Sequence, residues 1–375
     1  MSLQLNRRQW LRTSALAVAG LSLAGRAKSF NRLESFEFLT QENDDLILLD
    51  QNENPYGISK KTQEAIAGEV KYSNRYPDDH TTELKKLISG RENVSPDNII
   101  LGAGATEIFR ISGLLYGLNG GEIITADPTY FGFVSYVERL GGKLKMVRVD
   151  NEYKHDLNAM ARQITDTTKM VYVVNPNNPT GTIVGGDELR SFCEEVSHSV
   201  PVFVDEAYHE LVEDDGYSSM TGLVREGHNV IVARTFSKIF GMAGLRVGYG
   251  IAKPEIIREF SRIQTNFAPV SVLSLRAAAA SYQDTDFISS CLRKNNEARA
   301  YFCEVLDKLG YFYIPSHTNF VIFKINRSAR EFVGEVLKNK IRIRSFEFHD
   351  EQWIRVSIGT MNEMRALAPI LEKMS

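Results

Sequence analysis

The sequence is short of the residues that would tie it to a metal, a disulfide framework or a polyanion. Cysteine occurs three times in 375 residues, at Cys193, Cys291 and Cys303, with no CxxC pair. Neither a disulfide scaffold nor a thiolate metal site is therefore encoded. No HExxH run or close-set His/Cys cluster suggests another metal centre. Lysine and arginine (44) are balanced by aspartate and glutamate (47), and the net charge of −3 gives no electrostatic basis for nucleic acid as the main partner. No apolar run reaches the ~20 residues that cross a bilayer, so no stable membrane insertion is expected. Internal repeats and low-complexity linkers are absent as well. What is present is an ordinary globular balance, 43% hydrophobic and 24% charged, which excludes a disordered chain. The length suits two domains or one large α/β unit.

The N-terminus reads Asn6-Arg7-Arg8-Gln9-Trp10-Leu11-Arg12, then a weakly apolar run from Ser14 to Ala24. Paired arginines, an aromatic two positions on and a short apolar run resemble a twin-arginine export signal, and Ser22-Leu23-Ala24 offers a small-x-small cleavage site. Asn6 stands where serine or threonine is usual, and Arg26 and Lys28 follow the run. Residues 1–29 are thus expected to direct periplasmic export; the alternative is a basic extension on a cytoplasmic protein. In an oxidising compartment three cysteines leave at least one thiol unpaired.

Beyond this segment, β-rich runs alternate with helical patterns, which predicts an α/β fold with a largely parallel sheet. Strands are expected at 98–101, 122–125, 144–149, 170–174, 202–204, 229–233 and 245–251. Val171-Tyr172-Val173-Val174 and Val202-Phe203-Val204 are unbroken apolar runs, as strands buried on both faces should be. Ile108, Ile111, Leu115 and Leu118 recur at helical spacing over 105–118. From Ser271 the texture changes to one long helical stretch ending at Leu309, then short strands at 320–325, 341–344 and 353–358. Thr360-Met361-Asn362-Glu363 is a capping-box start for a last helix. The expected division is an arm at 30–70, a large domain at 71–270 and a small α/β domain at 271–375.

Four segments carry chemistry. In Thr235-Phe236-Ser237-Lys238, followed by Gly241, Gly244 and Arg246, a lysine just beyond a buried strand is placed for a depressed pKa and Schiff-base chemistry. Thr235, Ser237 and Arg246 supply donors suited to a phosphate. Val204-Asp205-Glu206-Ala207-Tyr208 puts an acid at the carboxyl end of an apolar strand, where ligands of open α/β sheets gather. A carboxylate there would keep a pyridine nitrogen protonated, and Tyr208 could point its phenol at a ring oxygen. Asn175-Pro176-Asn177-Asn178-Pro179-Thr180-Gly181 fixes an extended loop that aims the Asn178 amide. Leu101-Gly102-Ala103-Gly104-Ala105-Thr106-Glu107 opens like a dinucleotide fingerprint, but Glu107 occupies the third glycine position. The helix start can still offer the N–H groups of Ala105 and Thr106 to one phosphate. Each segment alone also suits a turn or a helix cap; their order along the chain lifts the reading.

With Asn52-Glu53-Asn54-Pro55-Tyr56-Gly57, Arg75-Tyr76-Pro77-Asp78 and Trp353-Ile354-Arg355-Val356-Ser357, these segments make the chain resemble the fold-type-I, pyridoxal-phosphate-dependent aminotransferases over roughly residues 40–375. Within that family it is similar to the histidinol-phosphate aminotransferases. The resemblance implies a mainly parallel seven-stranded sheet between helices, a smaller C-terminal domain and pyridoxal 5'-phosphate as cofactor. It implies that Lys238 links to the cofactor and moves the proton, that Asp205 pairs with the ring nitrogen, and that Asn178 and Tyr208 bond the ring oxygen. Tyr130 would stack on the ring; Gly104, Ala105, Thr106, Thr235, Ser237 and Arg246 would hold the phosphate. Tyr76 would reach the phosphate of a neighbouring subunit, implying a homodimer with shared sites. Arg355, with Arg344 and Asn54, would receive the substrates, an amino donor and a 2-oxo acid acceptor taken in turn. A phospho-amino-acid decarboxylase on the same fold would carry the same cofactor motifs and stands as the alternative. One departure bears on substrate: Lys340-Ile341-Arg342-Ile343-Arg344 has lysine for the family's glycine and an added arginine. On one continuous strand Arg342 and Arg344 would share a face.

Overall fold

The computed structural model describes residues 46–264 and 268–375, which belong to one compact unit. The twin-arginine segment lies outside the described residues. The described chain opens on a two-residue strand, β1 (Ile47–Leu48). The apolar runs then form the centre of a seven-stranded sheet: β2 (Ile99–Gly102), β3 (Glu122–Asp127), β4 (Lys143–Arg148), β5 (Thr168–Val174), β6 (Val202–Asp205), β7 (Val230–Thr235) and β8 (Gly248–Ile251). Their spatial order is β2-β8-β7-β6-β5-β3-β4. Strands β4, β3, β5, β6 and β7 pair in parallel, and β8 runs antiparallel to both β7 and β2.

Period-two alternation divides the strand side chains between two cores. Val171, Val173, Val202, Val204, Val230 and Val232 face one, with the helices Asp78–Glu92, Gly186–Val196 and Val272–Tyr282 over them. Met170, Tyr172, Val174, Phe203, Ile231 and Ala233 face the other, covered by the helices Ala105–Gly117 and Pro254–Ile263. Each fully buried residue of this size contributes about 1.5–3 kcal/mol. Beside Asp205, the buried Glu206 meets Arg234 at 2.9 Å, and Arg234 reaches Glu92 at 2.9 Å. This network ties the ends of β6 and β7 to the helix that covers them.

The C-terminal strands β9 (Tyr313–Ile314), β10 (Phe320–Ile325), β12 (Arg344–Phe348) and β13 (Glu351–Ser357) form an antiparallel sheet in the order β12-β13-β10-β9. The separate β11 (Ile341–Arg342) pairs in parallel with β1. His349 and Asp350, at φ 54° and 63°, supply the tight turn between β12 and β13. Ala298, Phe302, Phe332, Met364 and Leu367 pack under this sheet. Thr360 caps the last helix as expected: its hydroxyl accepts from the Glu363 N–H at 3.3 Å, and the Glu363 carboxylate accepts from the Thr360 N–H at 2.6 Å.

Several boundaries differ from the sequence reading. The strand expected at 245–251 starts only at Gly248, because Arg246 sits at φ 54°, a left-handed conformation no strand tolerates. The single helical stretch from 271 is two helices, Val272–Tyr282 and Thr285–Lys308, separated at Gln283-Asp284, where the Asp284 carboxylate meets Lys61 at 2.9 Å. The first of these packs on the helices Lys60–Glu69 and Asp78–Glu92 and belongs to the core of the large sheet. The C-terminal core begins further along, at Ala298 within the second helix, not at 271. The strand expected at 341–344 is also two, with Ile343 buried between them. Arg342 and Arg344 consequently belong to different sheets and do not share a strand face.

Candidate active site

The residues singled out in sequence gather where parallel strands end. Asp205 closes β6 and Thr235 closes β7; Asn178 follows β5, Tyr130 follows β3, and Gly104 follows β2. That is the edge at which open α/β sheets bind ligands.

One part of the site is a donor cradle. The Thr235 hydroxyl lies 3.0 Å from the Ser237 hydroxyl, and Arg246 reaches Ser237 at 3.3 Å and Thr106 at 3.4 Å. Gly104 leaves this space open: a Cβ there would lie 2.5 Å from the Arg246 guanidinium. Gly248 lets β8 pass so close to the helix start that its Cβ would fall 2.2 Å from the Ala105 nitrogen. Two hydroxyls, a guanidinium and the leading N–H groups of the helix from Ala105 form an anion site of phosphate type. Glu107 is excluded from it, since its carboxylate folds back to accept from the Ala103 N–H at 2.5 Å.

A second part surrounds Asp205. Its carboxylate accepts from the Tyr172 hydroxyl and from the Ala207 N–H, both at 3.0 Å. Burial nevertheless pushes its pKa up to about 7, against the pull of those two bonds. Tyr130 packs its ring 5.7 Å from Phe109 and, with Thr106, lines a cavity of about 190 Å³.

The third part is Lys238. Its Nζ donates to the main-chain carbonyls of Asn52 at 3.1 Å and Gln51 at 3.3 Å, and lies 5.5 Å from the Tyr208 ring centre. Burial lowers the pKa to about 8, and the charges of Arg355 and Arg246 act in the same direction. Tyr208 accepts at its hydroxyl from Asn52 at 2.9 Å and Asn178 at 3.4 Å. Burial pushes that phenol up to about 12.

Arg355, buried on β13, donates to Asn178 Oδ1 at 2.6 Å and to the Asp50 carbonyl at 2.8 Å. Phe320 and Phe346 hold its guanidinium, at 5.1 and 5.0 Å. Its Nε has no hydrogen-bond partner among the described residues. Arg344 stands directly opposite Arg355 in the β12–β13 register and is exposed, its guanidinium 5.5 Å from Phe346. The positive charges of Arg246, Arg344 and Arg355 all act on the Tyr130 phenol, whose pKa burial raises.

Two candidates sit apart from these contacts. Asn54 lies beside Lys238, but its amide donates to the Ile239 carbonyl at 2.7 Å and accepts from the Tyr56 N–H at 3.0 Å, so both ends serve the loop. Tyr76 is 70% exposed, ahead of the helix Asp78–Glu92. Asn52, Tyr172 and Asp50 escape the sequence reading. Asn52 had a signal, since it adopts φ 55°, a conformation asparagine tolerates, within the quoted Asn52–Gly57 block. Tyr172 had none, being one aromatic in an apolar strand.

A low-pKa lysine beyond the carboxyl edge, a buried carboxylate and a phosphate-type cradle define a transferase site built for a cofactor bearing an aldehyde and a phosphate. The chain belongs to the class I and II aminotransferase family, whose profile matches residues 44–371. It is 39% identical over 333 residues to a histidinol-phosphate aminotransferase of Moorella thermoacetica, covering 87% of this chain and 86% of that one. A histidinol-phosphate aminotransferase of Halalkalibacterium halodurans is 34% identical over 331 residues, covering 87% and 89%. The fold matches the crystal structure of histidinol-phosphate aminotransferase from Sinorhizobium meliloti in complex with pyridoxal-5'-phosphate, with a TM-score of 0.81 and 26% identity over 88% of this chain and 92% of that chain. The protein is thus a pyridoxal-phosphate-dependent aminotransferase of the α/β fold the sequence predicts. The residues present fit the cofactor: the Gly104 cradle suits its phosphate, Asp205 could face its ring nitrogen, and Lys238 could carry its aldehyde.

The Lys238 environment predicts a pH dependence. Below about 8 the amine is protonated and unreactive; above it, it is a nucleophile. Modification of Lys238 in cofactor-free protein by an amine-directed reagent, followed by mass spectrometry, should have its midpoint near pH 8, not near 10.5. Arg355→Met should move the midpoint upward, because it removes a positive charge that opposes protonation.

Proposed function

We propose that this aminotransferase moves an amino group between an anionic donor, either an amino acid with a second acidic group or an amino-phosphate of the histidinol phosphate kind, and a 2-oxo acid, with glutamate and 2-oxoglutarate as the exchanging pair. The observation that carries this reading is the direct opposition of Arg344 and Arg355 across β12 and β13. Like charges facing each other on one sheet face are unfavourable unless an anion lies between or beside them. The names of the relatives support a phosphorylated substrate.

Pyridoxal phosphate, when bound, supplies a carbonyl that condenses with amines and a ring that withdraws electrons from the substrate's α carbon. The chain's residues supply the rest. Thr235, Ser237, Arg246 and the N–H groups of Ala105 and Thr106 anchor the phosphate. Asp205, steadied by Tyr172, keeps negative charge where a ring nitrogen is to be held protonated. Tyr208 and Asn178 direct polar hydrogens at the ring oxygen. Lys238 holds and delivers the proton at its Nζ, which a pKa of about 8 suits at neutral pH. Arg355 offers its unpartnered Nε–H to a carboxylate and excludes water with its two flanking rings.

The working unit in this proposal is a homodimer in which Tyr76 completes the partner's phosphate site, a role its exposure permits. Export through the twin-arginine route, to the periplasm, is the proposed localisation, resting on Arg7-Arg8 and the apolar run after them.

Three measurements test these statements. Glutamate should outperform leucine as donor, and Arg344→Met should lower that ratio about tenfold, the loss expected of one charged hydrogen bond. A preference for leucine, or carbon dioxide release without any keto acid, would overturn the substrate reading. Mixing Tyr76→Phe chains with Lys238→Ala chains should create hybrids with one intact site and one doubly damaged site. Activity should then exceed that of either parent, whereas self-contained sites would show no such gain. Replacing Arg7 and Arg8 by lysine should retain the protein in the cytoplasm of the producing cell; unchanged fractionation would remove the export proposal.

A further inference from the structure

Arg342, the added arginine of the 340–344 segment, is absorbed by none of the roles above. It leaves β11 toward Asp50, with its Nε 2.9 Å from Asp50 Oδ2, an approach whose alignment is that of an ion pair and not a hydrogen bond. Its main-chain carbonyl also accepts from the Leu49 N–H at 2.8 Å. Arg342 thus grips the segment around Asp50 by both main chain and side chain. The same Asp50 gives its own carbonyl to Arg355 at 2.8 Å. Three buried polar atoms in this cluster have no hydrogen-bond partner among the described residues: Asp50 Oδ1, Arg342 Nε and Arg355 Nε. A carboxylate and a guanidinium N–H joined through one residue's backbone, both unsatisfied, are natural partners for each other. The Asp50 carboxylate is engaged by Arg342 at its other oxygen, Oδ2.

We propose that Arg342 is a positioning residue that sequesters the Asp50 carboxylate, so that Arg355 stays open to the carboxylate of a substrate. The inference rests on reading Arg355 as the substrate's anion site. With Arg342 in place, Asp50 gives Arg355 a hydrogen bond only through its carbonyl, and its carboxylate acts on the guanidinium by charge alone. Without Arg342, the Asp50 side chain is free to turn onto Nε and compete with every carboxylate the enzyme accepts. Every substrate that presents a carboxylate to this arginine, glutamate and 2-oxoglutarate included, would suffer alike. The Lys238 amine would keep its hydrogen bonds to the carbonyls of Gln51 and Asn52, which are separate groups.

The test uses holoenzyme and succinate as an unreactive dicarboxylate probe, with binding measured by calorimetry. Arg342→Met should weaken succinate binding about fivefold to tenfold, within the range of coupling between contacting residues. In turnover, KM for glutamate should rise by a similar factor while kcat is retained. Arg342→Met combined with Asp50→Asn should return binding to within about twofold of native, because the neutral amide no longer competes. Lys340→Met removes an equal charge two residues away and should change nothing, which separates competition from a general loss of positive field. Native affinity in Arg342→Met, or no rescue in the double variant, would overturn the proposal. If Arg355→Met abolishes succinate binding while Arg342→Met is silent, only this inference falls. If Arg355→Met still binds succinate as the native protein does, the reading of Arg355 falls and takes the inference with it.

Discussion

Lys238 rests its amine on two main-chain carbonyls and not on a carboxylate, and the site is organised around keeping those carbonyls in place. They belong to Gln51 and Asn52, at the end of a segment stitched along the C-terminal sheet. Ile47 and Leu49 donate to the carbonyls of Lys340 and Arg342, Ser357 donates back to Leu49, and the Asn52 N–H reaches the Ser357 hydroxyl at 2.8 Å. The Asn319 amide adds a bond to the Asn52 carbonyl at 2.9 Å. A lysine just beyond the end of β7 is therefore held by backbone that the C-terminal strands position. A carboxylate partner would raise the lysine's pKa strongly; neutral carbonyls satisfy its protons with a weaker effect in the same direction, which burial outweighs.

The same segment links the three functional parts. Asn52 bonds Tyr208, the carbonyls of residues 51 and 52 bond Lys238, and the Asp50 carbonyl bonds Arg355. Asn178 closes the circuit from the large sheet, touching both Arg355 and Tyr208. Each of these groups is short of freedom because its polar atoms are spoken for, which is the preorganisation that lets a site act on a ligand without first rearranging. Arg355 Nε and Asp50 Oδ1 are exceptions, buried without a hydrogen-bond partner among the described residues.

How much of this was legible in sequence follows the range of the interactions. Thr235, Ser237, Lys238 and Arg246 fall within twelve residues and come together in space because one turn carries them. Asp205 was visible because it ends an apolar run. The sheet's character could be read because Val171–Val174 and Val202–Val204 have no polar face to show. Tyr172 could not be assigned to Asp205, since nothing in a strand's alternation says which neighbouring strand its hydroxyl will meet. The assignment of Arg342 and Arg344 to one face failed for a related reason. Period two holds only within one strand, and the chain changes sheets at Ile343, which no local signal marks. Asn54 was preferred over Asn52 although the two stand two residues apart in one block; only the fold decides which amide turns inward.

Charge placement carries the argument one step further. Isolated in water, Asp205 and Lys238 would titrate more than six pH units apart. Here burial brings them to about 7 and about 8, so each is held close to the pH at which it must act. For Asp205 a shift of that size is roughly 4 kcal/mol against its charged form. Because its folded pKa is raised, the proton it binds favours the fold at low pH, and that contribution is lost as pH rises from about 4 through about 7. The depressed lysine is disfavoured in its charged form for the same reason, with Arg355 and Arg246 adding to the penalty. A cation brought beside Asp205 and an anion brought beside the arginines relieve both penalties together. The two penalties are thus specific in sign and position: a positive ring nitrogen beside Asp205 would relieve the first, and a phosphate beside Arg246 would relieve part of the second.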